Sequence, residues 1–448
     1  MPQLIVSISG IRGVVGDGLG PREAVRFGLA FGTYLEGGAV VIGRDSRPSG
    51  PMLAAALQAG LLAAGCRVID LGILSTPGTS LMVRHLGAQG GAVVTASHNP
   101  LPYNGIKMLS PEGMALSRQG GQAVLDLYSR EAFRQVEAQR VGRIEAVAGG
   151  AAVHVERTVG IVDAAKIQAR GFRVVVDAVC GAGGAEMQML LERLGCRTTL
   201  INGEPTGCFP RNAEPLPENL GDLCGAVRAS GADVGMALDP DGDRLALVDE
   251  TGQPLGEEYT LALSARHRLT QRHGPVATNL STSRLMDDVA SEAGVPLYRT
   301  PVGELNVAEA ILAKGCVIGG EGNGGVIDPR VTPVRDALVG AALVLEMLAA
   351  RGRQLSELAA ELPVYTMVKD KVAFAGGDAQ PVFQAVRQRF AGGGVDERDG
   401  LHLTLPEGWL HIRTSNTEPI LRIIGEARQE ACVRAWIDEV KHIAAGRD

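Results

Sequence analysis

At 448 residues, 45% hydrophobic and 21% charged, the chain is too long for one hydrophobic core and too apolar to be disordered or fibrous. A formal net charge of −7, with no basic run or tail, excludes non-specific binding to nucleic acid or to an anionic membrane. Three or four soluble domains with an aliphatic core are expected.

The N-terminus, Met1-Pro2-Gln3-Leu4-Ile5-Val6, lacks the basic region and long apolar run of a signal peptide. Next come Ser9-Gly10-Ile11-Arg12-Gly13 and Gly43-Arg44-Asp45-Ser46-Arg47, which set arginines just after or between short strands. Arg12 has the length to reach a serine further along, whereas Arg44, Asp45 and Arg47 read as a structural ion-pair network. A plan then recurs three times: a helical segment, a Gly-led strand, a second helical segment, and a strand running into a polar loop. Such alternation predicts mostly parallel sheets, with ligand loops gathered beyond the carboxyl ends of the strands.

The first copy runs through Ala54–Ala64, Gly65–Ile69, Leu81–Leu86 and Gly91–Val94 and delivers Thr95-Ala96-Ser97-His98-Asn99-Pro100. Ser, His, Asn and Pro together also make an ordinary turn. However, Lys107 follows in Tyr103-Asn104-Gly105-Ile106-Lys107, so a serine, a histidine and a cation share one excursion, the setting in which a serine becomes a useful nucleophile. A joint between domains is expected near Ala151–Val155.

The second copy, Leu190–Leu194, Gly195–Leu200, Leu223–Ala229 and Ala232–Leu238, delivers Asp239-Pro240-Asp241-Gly242-Asp243-Arg244. An EF-hand fails here: Arg244 stands where the sharp turn needs Gly, and Leu245–Val248 continues as a strand. Three carboxylates this close repel unless a cation binds them, and hard oxygen ligands beside a phosphate suit Mg²⁺. A second joint is expected near Gln253–Glu257.

The third copy, Leu285–Ala293, Gly294–Tyr298, Val307–Ala313 and Cys316–Ile318, delivers Glu321-Gly322-Asn323-Gly324-Gly325, where glycines permit close approach and Glu321 can accept from sugar hydroxyls. The stretch from Ala337 to Ala350 is broken by Gly340 and Glu346 and falls short of the roughly 18 residues needed to span a bilayer, so a buried helix is expected. After a joint near Leu362–Tyr365 come strand patterns at Met367–Val372, His402–Leu405 and Trp409–Arg413, which predict a smaller α+β domain. Its loop, Arg413-Thr414-Ser415-Asn416-Thr417-Glu418-Pro419, with Arg422 beyond, suits a dianionic phosphate. Seven scattered cysteines without a CxxC pair read as reduced thiols in the cytoplasm.

Taken together and in this order, these loops resemble the α-D-phosphohexomutase family along essentially the whole chain. The resemblance implies three tandem similar α/β domains with mixed, mostly parallel sheets, plus a smaller C-terminal α+β domain, around a central cleft. We place them at residues 1–153, 154–255, 256–363 and 364–448. It implies Ser97 as the phosphorylated residue, with Asp239, Asp241 and Asp243 holding Mg²⁺ beside the phosphoserine oxygen and Arg244 on the same phosphoryl group. His98 and Lys107 are candidates for general acid and base, with Arg12 as electrostatic partner. Glu321 and Asn323 would hold sugar hydroxyls, while Arg413, Ser415, Asn416, Thr417 and Arg422 would grip the phosphate that is not reacting.

The implied reaction moves phosphate between O6 and O1 of a hexose phosphate through a hexose 1,6-bisphosphate, which also serves as activator. Gly325 where many bacterial members carry His, Asn323 where Ser is common, and no basic residue in Thr300-Pro301-Val302-Gly303-Glu304 all concern sugar choice. The loop form points first to glucosamine 6-phosphate and glucosamine 1-phosphate, with phosphomannomutase/phosphoglucomutase activity as the alternative. A sugar-phosphate phosphatase and a non-catalytic phosphosugar-binding protein are more distant readings. A monomer or homodimer acting on a hexose phosphate, with no nucleic acid or membrane partner, completes the expectation.

Overall fold

The computed structural model describes residues 4–374, 377–415 and 420–446. Four sheets follow one another along the chain. The first has eight strands, seven of them in the order Ile5–Ser7, Gly10–Val15, Tyr103–Leu109, Gly90–Val94, Ala39–Arg44, Arg67–Ile73 and Ile144–Ala146, with Gly18–Leu19 beside Gly10–Val15. The second runs Arg197–Ile201, Arg173–Asp177, Val234–Leu238, Leu245–Val248, and the third runs Leu297–Thr300, Val276–Asn279, Ile318–Glu321, Gly325–Ile327. The fourth is fully antiparallel: Thr366–Ala373, Ile420–Ala427, Gly408–Thr414, Leu401–Leu405, Gly394–Asp396.

The threefold repeat read from the sequence is present, and its detail is informative. In each of the first three sheets a parallel strand (Gly90–Val94, Val234–Leu238 or Ile318–Glu321) turns through its polar loop into an antiparallel neighbour (Tyr103–Leu109, Leu245–Val248 or Gly325–Ile327). Each of these polar loops is therefore a hairpin tip, braced on both sides by ladder hydrogen bonds. The glycines that lead the strands are helix ends: Gly195 and Gly294 adopt φ of 68° and 64°, the left-handed conformation that lets a helix stop and the chain turn into the sheet.

The expected buried helix is Ala337–Arg351, with its apolar residues from Ala337 to Leu348 inside. Asp336 caps it, its side chain accepting from the Leu338 and Val339 amides. Each of its Leu and Val side chains contributes about 1.5–3 kcal/mol on leaving water. It packs against helices of both the second and the third units, so one continuous apolar core runs from Val155 to Leu362. The joint expected near Ala151–Val155 is instead the body of helix Gly150–Val159, where His154 and Val155 are fully buried. Ala, Val and His at those positions serve packing, not a linker. No helix among the described residues is long and apolar enough to cross a membrane.

His154 is clasped from both sides. Its Nδ1 lies 2.7 Å from Glu186 Oε1 and its Nε2 lies 2.7 Å from Asp336 Oδ2. Glu186 also accepts from the Ser75 amide at 2.9 Å and the Ser75 hydroxyl at 3.0 Å. A neutral imidazole has one N–H and cannot donate to both carboxylates, so the geometry requires imidazolium. The two carboxylates raise its pKa to about 10 against burial, which acts to lower it. One buried cation thus joins the first unit (Ser75), the second (His154, Glu186) and the helix cap of the third (Asp336).

Candidate active site

Ser97 sits at the first hairpin tip with φ of 49°, a left-handed conformation that costs a non-glycine residue of order 1–3 kcal/mol. The surroundings hold it there. Its amide donates to Thr95 Oγ1 at 2.8 Å, and the Thr95 hydroxyl donates to Asp45 Oδ2 at 2.6 Å. The fully buried Arg47 pairs with Asp45 through Nε at 3.1 Å. Its other nitrogens donate to the carbonyls of Ser97 (2.6 Å), Asn99 (2.7 Å), Pro100 (2.9 Å) and Tyr103 (3.0 Å). The expected Arg44, Asp45 and Arg47 network is therefore a pair: among the described residues Arg44 reaches only the Asp45 backbone carbonyl, at 3.3 Å. Arg47 shapes the serine loop by binding its carbonyls, work that its own motif did not disclose.

The Ser97 hydroxyl donates to Asp239 Oδ2 at 3.0 Å and lies 3.3 Å from His98 Nδ1. Burial, with Arg244 and Arg12 adding to it, pushes His98 down to about 2, so its ring is neutral at neutral pH. Arg12 donates to Asn99 Oδ1 at 2.9 Å, next to the serine loop but not on the hydroxyl.

The second tip is organised by Asp239, whose Oδ1 accepts from the amides of Asp243 (3.1 Å) and Arg244 (3.2 Å). Asp241 Oδ2 accepts from Thr76 Oγ1 at 2.6 Å and Lys107 Nζ at 2.8 Å. Asp243 Oδ2 accepts from Arg335 Nη2 at 2.6 Å. All three carboxylates are fully buried, and their ligand atoms lie within 4.8 Å of one another. Burial, and then Asp243 and Asp241, raise Asp239 well above the ordinary range; against burial, Lys107 and Thr76 hold Asp241 below it. Asp241 in turn keeps Lys107 protonated against burial.

Two buried oxygens, Asp241 Oδ1 and Asp243 Oδ1, have no hydrogen-bond donor. Buried acceptors without donors are costly, and an all-oxygen set next to a hydroxyl fits a hard divalent cation. Arg244, at the end of the loop, donates through Nη1 to Glu214 at 2.9 Å, and its Nε stands 3.9 Å from Asp243.

At the third tip Glu321 is not an idle acceptor. Oε1 takes Asn279 Nδ2 at 2.8 Å and the Gly303 amide at 3.3 Å; Oε2 takes Arg335 Nη1 at 2.7 Å and Asn323 Nδ2 at 3.5 Å. Asn323 Oδ1 is buried without a donor. Thr76 and Arg335 were not singled out from the sequence. Arg335 carries one legible signal, a lone cation immediately before the capping Asp336 of a long apolar helix.

In the last unit Arg413 and Arg422 stand directly opposite one another on adjacent strands. Arg413 Nε is buried without an acceptor, and burial lowers its pKa. The Ser415 amide closes the loop onto the Ile420 carbonyl at 3.0 Å. Asn416 and Thr417 lie outside the described residues. The Asp399 carboxylate accepts from the Val302 amide at 2.9 Å, and His411 Nδ1 lies 2.8 Å from Ser281 Oγ, which places this sheet against the third unit.

Residues 4–135, 152–252 and 256–365 match, in turn, domains I, II and III of the family described as phosphoglucomutase/phosphomannomutase, alpha/beta/alpha. A phosphoglucomutase/phosphomannomutase of Thermococcus kodakarensis is 40% identical over 438 residues, covering 96% of each chain. A probable phosphoglucosamine mutase of Methanopyrus kandleri is 40% identical over 436 residues, covering 96% of this chain and 95% of its own. Among solved structures, a phosphoglucomutase/phosphomannomutase family protein from Burkholderia thailandensis superposes with a TM-score of 0.87 at 30% identity, covering 99% of this chain and 97% of that one.

Proposed function

The chain belongs to the α-D-phosphohexomutase family and is a phosphohexomutase, and from that premise we propose that it interconverts glucosamine 6-phosphate and glucosamine 1-phosphate through a phosphorylated Ser97. The observation that carries the mechanism is the Ser97 hydroxyl bonded to Asp239 within a carboxylate trio that retains two buried oxygens without donors.

In the first half-reaction the bond between Ser97 Oγ and phosphorus breaks as a bond from phosphorus to the free sugar hydroxyl forms, giving the hexose 1,6-bisphosphate. The sugar hydroxyl proton passes to a base, for which neutral His98 is the candidate, and the departing Ser97 oxygen takes a proton from an acid, for which protonated Lys107 is the candidate. Protonated Lys107, with Arg12 and Arg244, offsets charge on the transferring oxygens. The bisphosphate turns end for end, and the opposite phosphoryl group returns to Ser97. Asp239, Asp241 and Asp243 together with a phosphoserine oxygen would hold Mg²⁺, which when bound neutralises charge on the transferring group.

Glu321 and Asn323 would orient sugar hydroxyls. Arg413, Ser415, Asn416, Thr417 and Arg422 would hold the distant phosphate, whose binding orients the reacting end. Four units, with joints near residues 255 and 363 and the first moved ahead of Gly150, would enclose this cleft. Seven cysteines without a disulfide among them favour a cytoplasmic setting.

Phosphomannomutase/phosphoglucomutase activity is the second reading, favoured by the Thermococcus relative. Comparison of kcat/KM on glucosamine 1-phosphate, glucose 1-phosphate and mannose 1-phosphate, with Mg²⁺ and the matching bisphosphate, decides between them. A preference of about a hundredfold for the amino sugar, about 2.7 kcal/mol, supports the first reading; comparable rates on the neutral sugars overturn it.

A further inference from the structure

We infer that Arg335 is a positioning residue that ties the sugar-reading loop to the metal-binding loop, so that a hexose phosphate and Mg²⁺ each tighten the binding of the other. The inference rests on the assignment of Glu321 to the sugar and of the aspartate trio to the metal. Each nitrogen of the Arg335 guanidinium is committed to a different carboxylate: Nε to Glu304 Oε2 at 2.8 Å, Nη1 to Glu321 Oε2 at 2.7 Å and Nη2 to Asp243 Oδ2 at 2.6 Å. Those carboxylates belong to the start of helix Glu304–Lys314, the third hairpin tip and the second hairpin tip. A guanidinium is planar and rigid, so the three oxygens are held at fixed separations, which a flexible point charge cannot do.

The stem of Arg335 is as constrained as its head. The neighbouring Asp336 donates its amide to the Val326 carbonyl at 2.8 Å, and its carboxylate caps the buried helix while bonding His154. Room for the stem exists because residue 325 is glycine: a Cβ there would fall 2.2 Å from Arg335 Cδ and 2.7 Å from Cγ. Gly325 has φ outside the left-handed region, so what it supplies is space.

The two ends of the fork are unequally held. Glu321 keeps two long contacts, to the Gly303 amide at 3.3 Å and Asn323 at 3.5 Å, which are weaker than its others and the first to yield to a sugar hydroxyl. Asp243 has one oxygen on Arg335 and the other without a donor. A ligand that moves Glu321 moves the fork, and the fork moves Asp243. Coupling of this kind is reciprocal by thermodynamic necessity.

The test is calorimetric titration of the full-length, dephosphorylated enzyme with Mg²⁺, with and without saturating glucosamine 6-phosphate. Without bisphosphate there is no turnover. In the wild type we expect the Mg²⁺ Kd to fall about tenfold when the sugar phosphate is present, within the usual range of coupling between sites. Arg335→Lys, which keeps the charge but not the fork, and Gly325→Ala, which crowds the stem and keeps every charge, should each reduce that ratio to less than about twofold.

A wild-type ratio near one, with both ligands binding, overturns the inference and leaves the site assignment standing. A tenfold ratio retained in a folded variant, judged by circular dichroism, does the same. Failure of the wild type to bind Mg²⁺ overturns the site assignment and the inference with it.

Discussion

Replacing His154 by Gln removes the cation that two buried carboxylates share. In the native protein burial acts to lower the imidazole, but Asp336 and Glu186, the carboxylates that face it, push it up to about 10 from an ordinary 6.5. At 1.36 kcal/mol per tenfold change in proton affinity, that difference is about 5 kcal/mol of stability. The independent expectation for breaking a buried ion pair, about 3–5 kcal/mol, agrees.

Because the folded value is the raised one, the contribution is fully present below pH 6.5 and fades as pH climbs through 10. Thermal melting of wild type and His154→Gln at intervals from pH 6 to pH 10.5 reads it directly. At pH 7 the variant should melt lower by on the order of 5–10 °C. The gap should narrow progressively from about pH 6.5 and be nearly closed by pH 10, because over that range the unfolded chain has lost the proton that the folded protein keeps. A gap that stays constant across that range, or a variant as stable as wild type at pH 7, refutes the reasoning that a buried imidazolium clasps the three units.

Ser97→Ala should abolish turnover and accept no phosphoryl group from hexose 1,6-bisphosphate, read by intact mass; near-wild-type turnover in that variant removes the phosphoserine mechanism. Arg413→Ala should raise KM for the hexose phosphate about tenfold to a hundredfold, the loss expected for a hydrogen bond of about 1.5–3 kcal/mol to a charged group. On the proposal that one grip serves both orientations, the rise should be similar in both directions of the reaction, and an effect confined to one direction counts against a shared phosphate site.

What was legible in the chain was contiguous. The hydroxyl of Ser97 and the carboxylates of Asp239, Asp241 and Asp243 lie within short runs whose chemistry needs no partner to be suspected. The threefold alternation of helix and strand likewise carries its own periodicity. What was not legible depends on single residues meeting across the fold: Thr76 reaches Asp241 across 165 positions, Arg335 reaches Asp243 across 92, and His154 reaches Asp336 across 182.

Nothing local distinguishes such a histidine from any other, which is also why Ala151–Val155 read as a linker. Glu321 was legible as an acceptor, but not as one already engaged by Arg335 and Asn279. Strand Leu245–Val248 was read as a strand; its antiparallel pairing, which makes the aspartate loop a hairpin, became visible only in the sheet.

The left-handed backbone of Ser97 also selects among nucleophiles by shape. Threonine offers the same hydroxyl chemistry, yet its branched Cβ is poorly tolerated at positive φ. The loop that Arg47 sculpts therefore discriminates between two alcohols by backbone shape before any substrate arrives. The choice of serine for the proposed phosphoryl carrier is set by chirality at one Cα as much as by the chemistry of the oxygen it carries.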